Sequence, residues 1–138
     1  MKKTRVCCAA LLLALLLCAC GGGGEIPDLT GHWEQDPGDA AFYQVADISG
    51  DTIRVSWRLV EDGSEHLYWI GSFVPPDKPG ASYKWVSENR IDEEYHKSAW
   101  ARHEDTLTFT YKDGTLNYVT FMGNLKMGVS LEKKEVTG

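Results

Sequence analysis

The nine residues Thr52-Ile53-Arg54-Val55-Ser56-Trp57-Arg58-Leu59-Val60 decide the fold. Ile53, Val55, Trp57 and Leu59 alternate with Thr52, Arg54, Ser56 and Arg58. That period of two puts apolar side chains on one face of a strand and polar ones on the other. The alternation returns in residues 106–111, where Leu107, Phe109 and Tyr111 interleave with three threonines, and in residues 125–131, through Leu125, Met127, Val129 and Leu131. Between such runs stand Ser49-Gly50-Asp51, Glu61-Asp62-Gly63-Ser64, Lys112-Asp113-Gly114-Thr115 and Gly123-Asn124. These residues tolerate positive φ or bond their own backbone, as tight hairpins require.

Working outward, the pattern predicts strands near 31–35, 42–49, 52–60, 66–74, 82–88, 96–102, 106–112, 115–122 and 125–132. An all-β antiparallel meander follows, and closing it removes the exposed edges. An up-and-down β-barrel of about eight to nine strands is the leading expectation, a two-sheet β-sandwich the alternative. Pro75, Pro76 and Pro79 remove ladder donors, so residues 75–80 read as a stiff loop. Residues 91–97, with Asp92, Glu93 and Glu94 adjacent, read as a solvated bend ahead of a helical turn.

The amino-terminal segment has a different logic. Lys2, Lys3 and Arg5 lead into an apolar run over residues 6–17, the order of a secretory signal. Twelve residues fall short of the roughly 20 that cross a bilayer as a helix. All four cysteines, Cys7, Cys8, Cys18 and Cys20, lie in residues 1–20, so they are not read as a disulfide framework. Leu17-Cys18-Ala19-Cys20 resembles the lipobox of bacterial lipoproteins. The resemblance implies a signal peptide over 1–19, cleavage between Ala19 and Cys20, and a diacylglycerol anchor on Cys20. It implies a chain exported to the outer face of the cell membrane, or to a periplasm-facing leaflet in a Gram-negative host. Two or three acyl chains anchor stably where one is marginal. Residues 20–28 then form a lipidated, glycine-rich tether, and residues 29–138 the folded domain, which has the length of a single core.

Removing Lys2, Lys3 and Arg5 from the 14 basic residues leaves 11 against 20 acidic ones, a formal net charge of −9. Such a surface suits neither nucleic acid nor anionic lipid head groups, so the membrane is reached through the lipid alone.

Gly31-His32-Trp33 at the first strand resembles the Gly-x-Trp that opens lipocalins and lipocalin-like bacterial domains. The resemblance implies that Gly31 and Trp33 close one end of the barrel. The family's later signatures, an aspartate and tyrosine pair between middle strands and a late arginine stacking on that tryptophan, have no clear counterparts here, and Arg102 is the nearest candidate for the arginine. The chain from Leu29-Thr30-Gly31-His32-Trp33 onward also resembles small lipoproteins of Gram-positive bacteria and their prophages. The shared blocks are Leu67-Tyr68-Trp69, Tyr83-Lys84-Trp85 and Phe109-Thr110-Tyr111-Lys112-Asp113-Gly114. That likeness implies no activity.

Trp57, Trp69, Trp85 and Phe109 are the candidates for lining a ligand or partner site; the alternative is that they fill the core, which a small barrel favours. His32, His66, His96 and His103 match no metal-ligand spacing and read as exposed loop or strand-end residues. With no nucleophile elbow and no paired acids, the expectation is a noncatalytic binding domain without cofactor or metal. The leading partner is a protein at the cell surface, met by the 75–80 loop with Tyr83 and Trp85 behind it. Interference with infection by another phage is one concrete form. A small hydrophobic ligand carried in the barrel interior is the alternative.

Overall fold

A computed structural model of the chain describes residues 24–93 and 95–135. The signal peptide expected over 1–19, with Ala19 and Cys20, lies outside the described residues, as do residues 21–23 of the expected tether. Among the described residues no helix is long and apolar enough to cross a membrane.

Eight antiparallel strands follow one another: β1 (Gly31–Gln35), β2 (Phe42–Ser49), β3 (Thr52–Leu59), β4 (Glu65–Ser72), β5 (Ser82–Glu88), β6 (Thr106–Lys112), β7 (Thr115–Met122) and β8 (Leu125–Lys134). They form one sheet in the order β4-β3-β2-β1-β8-β7-β6-β5, so the sandwich does not occur. Because β1 pairs with both β2 and β8, the two ends of the meander join and the sheet curls into a nearly closed up-and-down barrel. The hairpins are as tight as their residues require: Asp113 and Gly114, between β6 and β7, both take positive φ.

The seam lies between β4 and β5. Among the described residues, only Gly71 and Asn89 pair there as an isolated bridge. Side chains supply the rest. Trp69 Nε1 donates to Ser87 Oγ at 3.0 Å, Trp85 Nε1 to the Ser72 carbonyl at 3.2 Å, and the Glu88 amide to Ser72 Oγ at 2.8 Å. A Cβ on Gly71 would lie 2.2 Å from Ser87 Oγ and 2.3 Å from Trp69 Nε1, so its bare backbone makes room for the first of these bonds.

The ninth strand expected at 96–102 does not form. Residues 89–105 instead make an irregular strap along the edge of β4; among the described residues it bonds the β4 backbone through Arg90 N to Ile70 O (2.8 Å) and Arg102 N to Tyr68 O (2.9 Å). The solvated bend expected at 91–97 is also corrected, because Tyr95–Lys97 forms a short 3₁₀ turn. Its entry is closed by Tyr95 N donating to the Asp92 carbonyl at 2.9 Å. Small residues explain both outcomes: Ser98, Ala99 and Ala101 offer little apolar surface to hold an extended strand in register.

The core fills the barrel. Trp33, Trp69, Phe109, Leu116 and Leu131 are buried to 1% exposure or less. Burying a side chain such as Phe109 contributes about 1.5–3 kcal/mol. One end is closed. Here the chain enters through Asp28 and Leu29, and Trp33 Nε1 donates to the Leu29 carbonyl at 2.9 Å. Lys133 Nζ donates to the Asp28 carbonyl at 2.9 Å, its stem running 2.9 Å from where a Gly31 Cβ would sit. The other end carries the turns after β1, β3 and β7.

Candidate functional site

The open end of the barrel holds a solvent-facing cavity of about 660 Å³. Its walls come from the first residue of β2, Phe42, from Trp57 on β3, Tyr68 on β4, Phe121 and Met122 at the end of β7, and strap residues 99–104. The alternation of β2 and β3 aims Phe42 and Trp57 inward, where they meet edge to face at 5.3 Å. Trp100 meets Phe42 at 6.2 Å and lies flat on His66 at 4.7 Å, closing the wall from the strap side.

Tyr68 reaches the cavity by a different route. Val55 pairs with Trp69 but Ser56 pairs with Leu67, so Tyr68 is the extra residue of a β-bulge. A bulge re-aims a side chain that alternation would otherwise turn outward. Tyr68 packs against Trp57 at 6.0 Å, and its hydroxyl accepts from Arg102 Nη1 at 3.0 Å.

Arg102 is the cation of this wall. Nη1 also donates to the Val119 carbonyl at 2.8 Å. Register pairing between β6 and β7 stops at Thr110 and Asn117, so the guanidinium supplies a donor where the ladder has ended. The guanidinium carbon sits 5.4 Å over the Phe121 ring. Nε lies 3.0 Å from Glu104 Oε2, close enough for an ion pair, yet it is buried without an acceptor aligned on its N–H. Arg102 therefore does not stack on Trp33, which is at the closed end. That correction removes the counterpart of the late lipocalin arginine.

Beneath the mouth lies a polar layer. Gln44 pairs with Trp57 across β2 and β3, and both Gln44 and Thr120 are fully buried. Gln44 Nε2 donates to Thr120 Oγ1 at 3.3 Å, while the Tyr118 hydroxyl donates to Gln44 Oε1. Burial first, with Tyr68 nearby, pushes the Tyr118 phenol well above its ordinary range, so it stays a neutral donor.

Of the four aromatics singled out from the sequence, only Trp57 lines the cavity. Trp69 and Phe109 are fully buried, and Trp85, at 4% exposure, stacks on Phe109 at 5.0 Å and meets Phe73 at 5.1 Å. Trp85 thus belongs to the core and offers no surface behind the 75–80 loop. Tyr83 stacks on it and donates its hydroxyl to the Val74 carbonyl, tying the loop down.

The histidines are more engaged than loop residues would be. His32 sits on the outer face between Asp47 (Nδ1 to Oδ1, 2.7 Å) and Glu34 (Nε2 to Oε1, 3.0 Å). Glu34 also accepts from Arg58 Nη1 at 2.7 Å. Burial works against a charged ring, but the hydrogen bonds and charges of Asp47 and Glu34 outweigh it and raise the His32 pKa above its ordinary 6.5. His96 and His103 stack at 5.7 Å near the mouth. Among the described residues, no group of three or more His, Cys, Asp or Glu is arranged to hold a metal.

Sequence reasoning missed Phe42, Tyr68 and Trp100 as mouth residues and Arg102 as their cation. Leu67-Tyr68-Trp69-Ile70, four apolar residues in a row where β3 alternates, carried the signal for the bulge. No protein family, curated protein or solved structure matches the chain.

Proposed function

We propose that the chain is an exported, membrane-anchored lipoprotein whose barrel captures a small apolar ligand in its open mouth, without catalysis. The cavity of about 660 Å³ walled by Phe42, Trp57, Tyr68, Trp100 and Phe121 carries this reading. Its size falls within the roughly 300–1,000 Å³ of small-molecule sites, and its lining is mostly apolar with few polar groups, as such sites are. The aromatic wall supplies area and flat faces.

The anchor is supported by the lipobox-like Leu17-Cys18-Ala19-Cys20. Two experiments test the two halves separately. Cys20→Ser should leave an unprocessed precursor without lipid, and normal cleavage and release of that variant refutes the anchor. Trp57→Ala with Trp100→Ala should abolish uptake of a hydrophobic fluorescent probe such as 1-anilinonaphthalene-8-sulfonate by the folded chain. Undiminished uptake refutes the pocket.

A protein partner is the second reading, favoured by the exposed Phe121, Met122 and Leu125 at the β7–β8 turn. A charged replacement at Leu125, which is exposed and does not line the cavity, would abolish capture of such a partner and spare probe uptake.

A further inference from the structure

We propose that the ligand of the mouth is an amphipathic monocarboxylate whose carboxylate takes the Nε–Nη2 edge of Arg102, displacing Glu104. This deepens the pocket reading and rests on it.

The guanidinium has two usable edges, and the fold has consumed one. Nη1 is committed to the Tyr68 hydroxyl and the Val119 carbonyl, which fix the plane of the group. Phe121 beneath it fixes the plane further. The remaining edge, Nε with Nη2, is the one that matches a carboxylate with two parallel hydrogen bonds. Among the described residues Nη2 donates to no protein acceptor, and Nε is the one buried side-chain nitrogen or oxygen without an aligned partner. A buried N–H left without an acceptor is penalised, and an incoming carboxylate would relieve that penalty.

Glu104 occupies the place imperfectly. Its Oε2 is 3.0 Å from Nε, but off the axis of the N–H, and its side chain is 53% exposed. It sits two residues from Arg102 in the strap, and its carboxylate does not lie squarely on the fork. A free carboxylate on an apolar body is not bound to the strap. Arg102 and Glu104 both line the cavity, as do Phe42, Trp57 and Met122. One molecule can therefore place its apolar body on the aromatic wall and its head on the guanidinium. Glu104 then acts as a placeholder that keeps the arginine paired when the mouth is empty.

The probes are decanoate and 1-decanol, which share a chain and differ in charge, titrated into the full-length chain by tryptophan fluorescence and calorimetry. Decanoate should bind at least about tenfold tighter, the weight of a charge-assisted pair. Glu104→Gln should tighten decanoate about two- to fivefold relative to decanol. Asp105→Asn removes the same charge one residue on and should change neither. Arg102→Gln should erase the preference for decanoate. Because Arg102 also braces Val119, the Glu104 and Asp105 variants carry the test if that variant unfolds. Decanol binding as well as decanoate, or Glu104→Gln acting no differently from Asp105→Asn, overturns the carboxylate anchor and leaves the pocket standing. Binding of neither probe overturns both.

Discussion

Replacing Gly71 by alanine adds one methyl group at the barrel seam. The new Cβ would lie 2.2 Å from Ser87 Oγ, 2.3 Å from Trp69 Nε1 and 2.8 Å from the Glu88 carbonyl oxygen. None of the three can yield cheaply. The carbonyl belongs to the backbone of β5, Trp69 is fully buried, and the serine and tryptophan are bonded to each other at 3.0 Å. Forcing a methyl group into a packed interior costs about 1–3 kcal/mol. Losing the Trp69–Ser87 bond while both groups stay buried adds about 1–3 kcal/mol. The expected loss is therefore about 2–6 kcal/mol, a large share of the roughly 5–15 kcal/mol that holds a domain folded. Gly128→Ala is the internal control, because a Cβ there meets nothing within 4 Å. Urea unfolding of both variants of the full chain, followed by tryptophan fluorescence, measures the difference in midpoint. A Gly71→Ala protein that unfolds at the wild-type midpoint with an unshifted emission maximum would refute the seam as described.

Two further perturbations address the outer and inner polar clusters. The raised pKa of His32 means that the folded chain binds a proton more tightly than the unfolded chain. Its stabilising contribution is complete below about pH 6.5 and is lost as pH rises through the folded value. His32→Gln should flatten that limb of the stability curve in urea melts taken from pH 5.5 to 8.5, and an identical pH dependence in both proteins would count against it. In the interior, Tyr118→Phe leaves Gln44 Oε1 buried without its donor and should cost about 1–3 kcal/mol by the same melts. Adding Gln44→Met, which removes the stranded partner, should recover part of that loss; a double variant weaker than the sum of the singles would contradict the pairing.

The strands were legible because the period of two is a local property: Ile53, Val55 and Trp57 declare their shared face whatever the chain does elsewhere. The turns were legible for the same reason, through Asp113-Gly114 and Glu61-Asp62-Gly63-Ser64. Alternation states which side of a strand a residue faces, but not how far along the barrel axis it sits. Trp57 and Trp85 are both inward aromatics on alternating strands, yet one lines the mouth and the other stacks inside the core. That separation depends on register between strands distant in sequence. The strap was opaque for a related reason. Trp100 and Arg102 take their places from contacts with His66, Tyr68 and Val119, between 17 and 34 residues away, and not from their neighbours.

The chain enters the barrel at its closed end, through Asp28 and Leu29 beneath Trp33. The mouth lies at the far end of β8, whose ten residues span about 33 Å at 3.3 Å each. If the chain is anchored through Cys20 as proposed, the attachment lies on the side of the closed end and the opening on the side away from it. In that arrangement, cargo from solution or from a neighbouring molecule would reach the mouth more directly than lipids of the anchoring leaflet. A fluorophore placed at Asn124, on the rim, should then escape quenchers confined to the acyl layer, while one at Asp28 should lie closer to them.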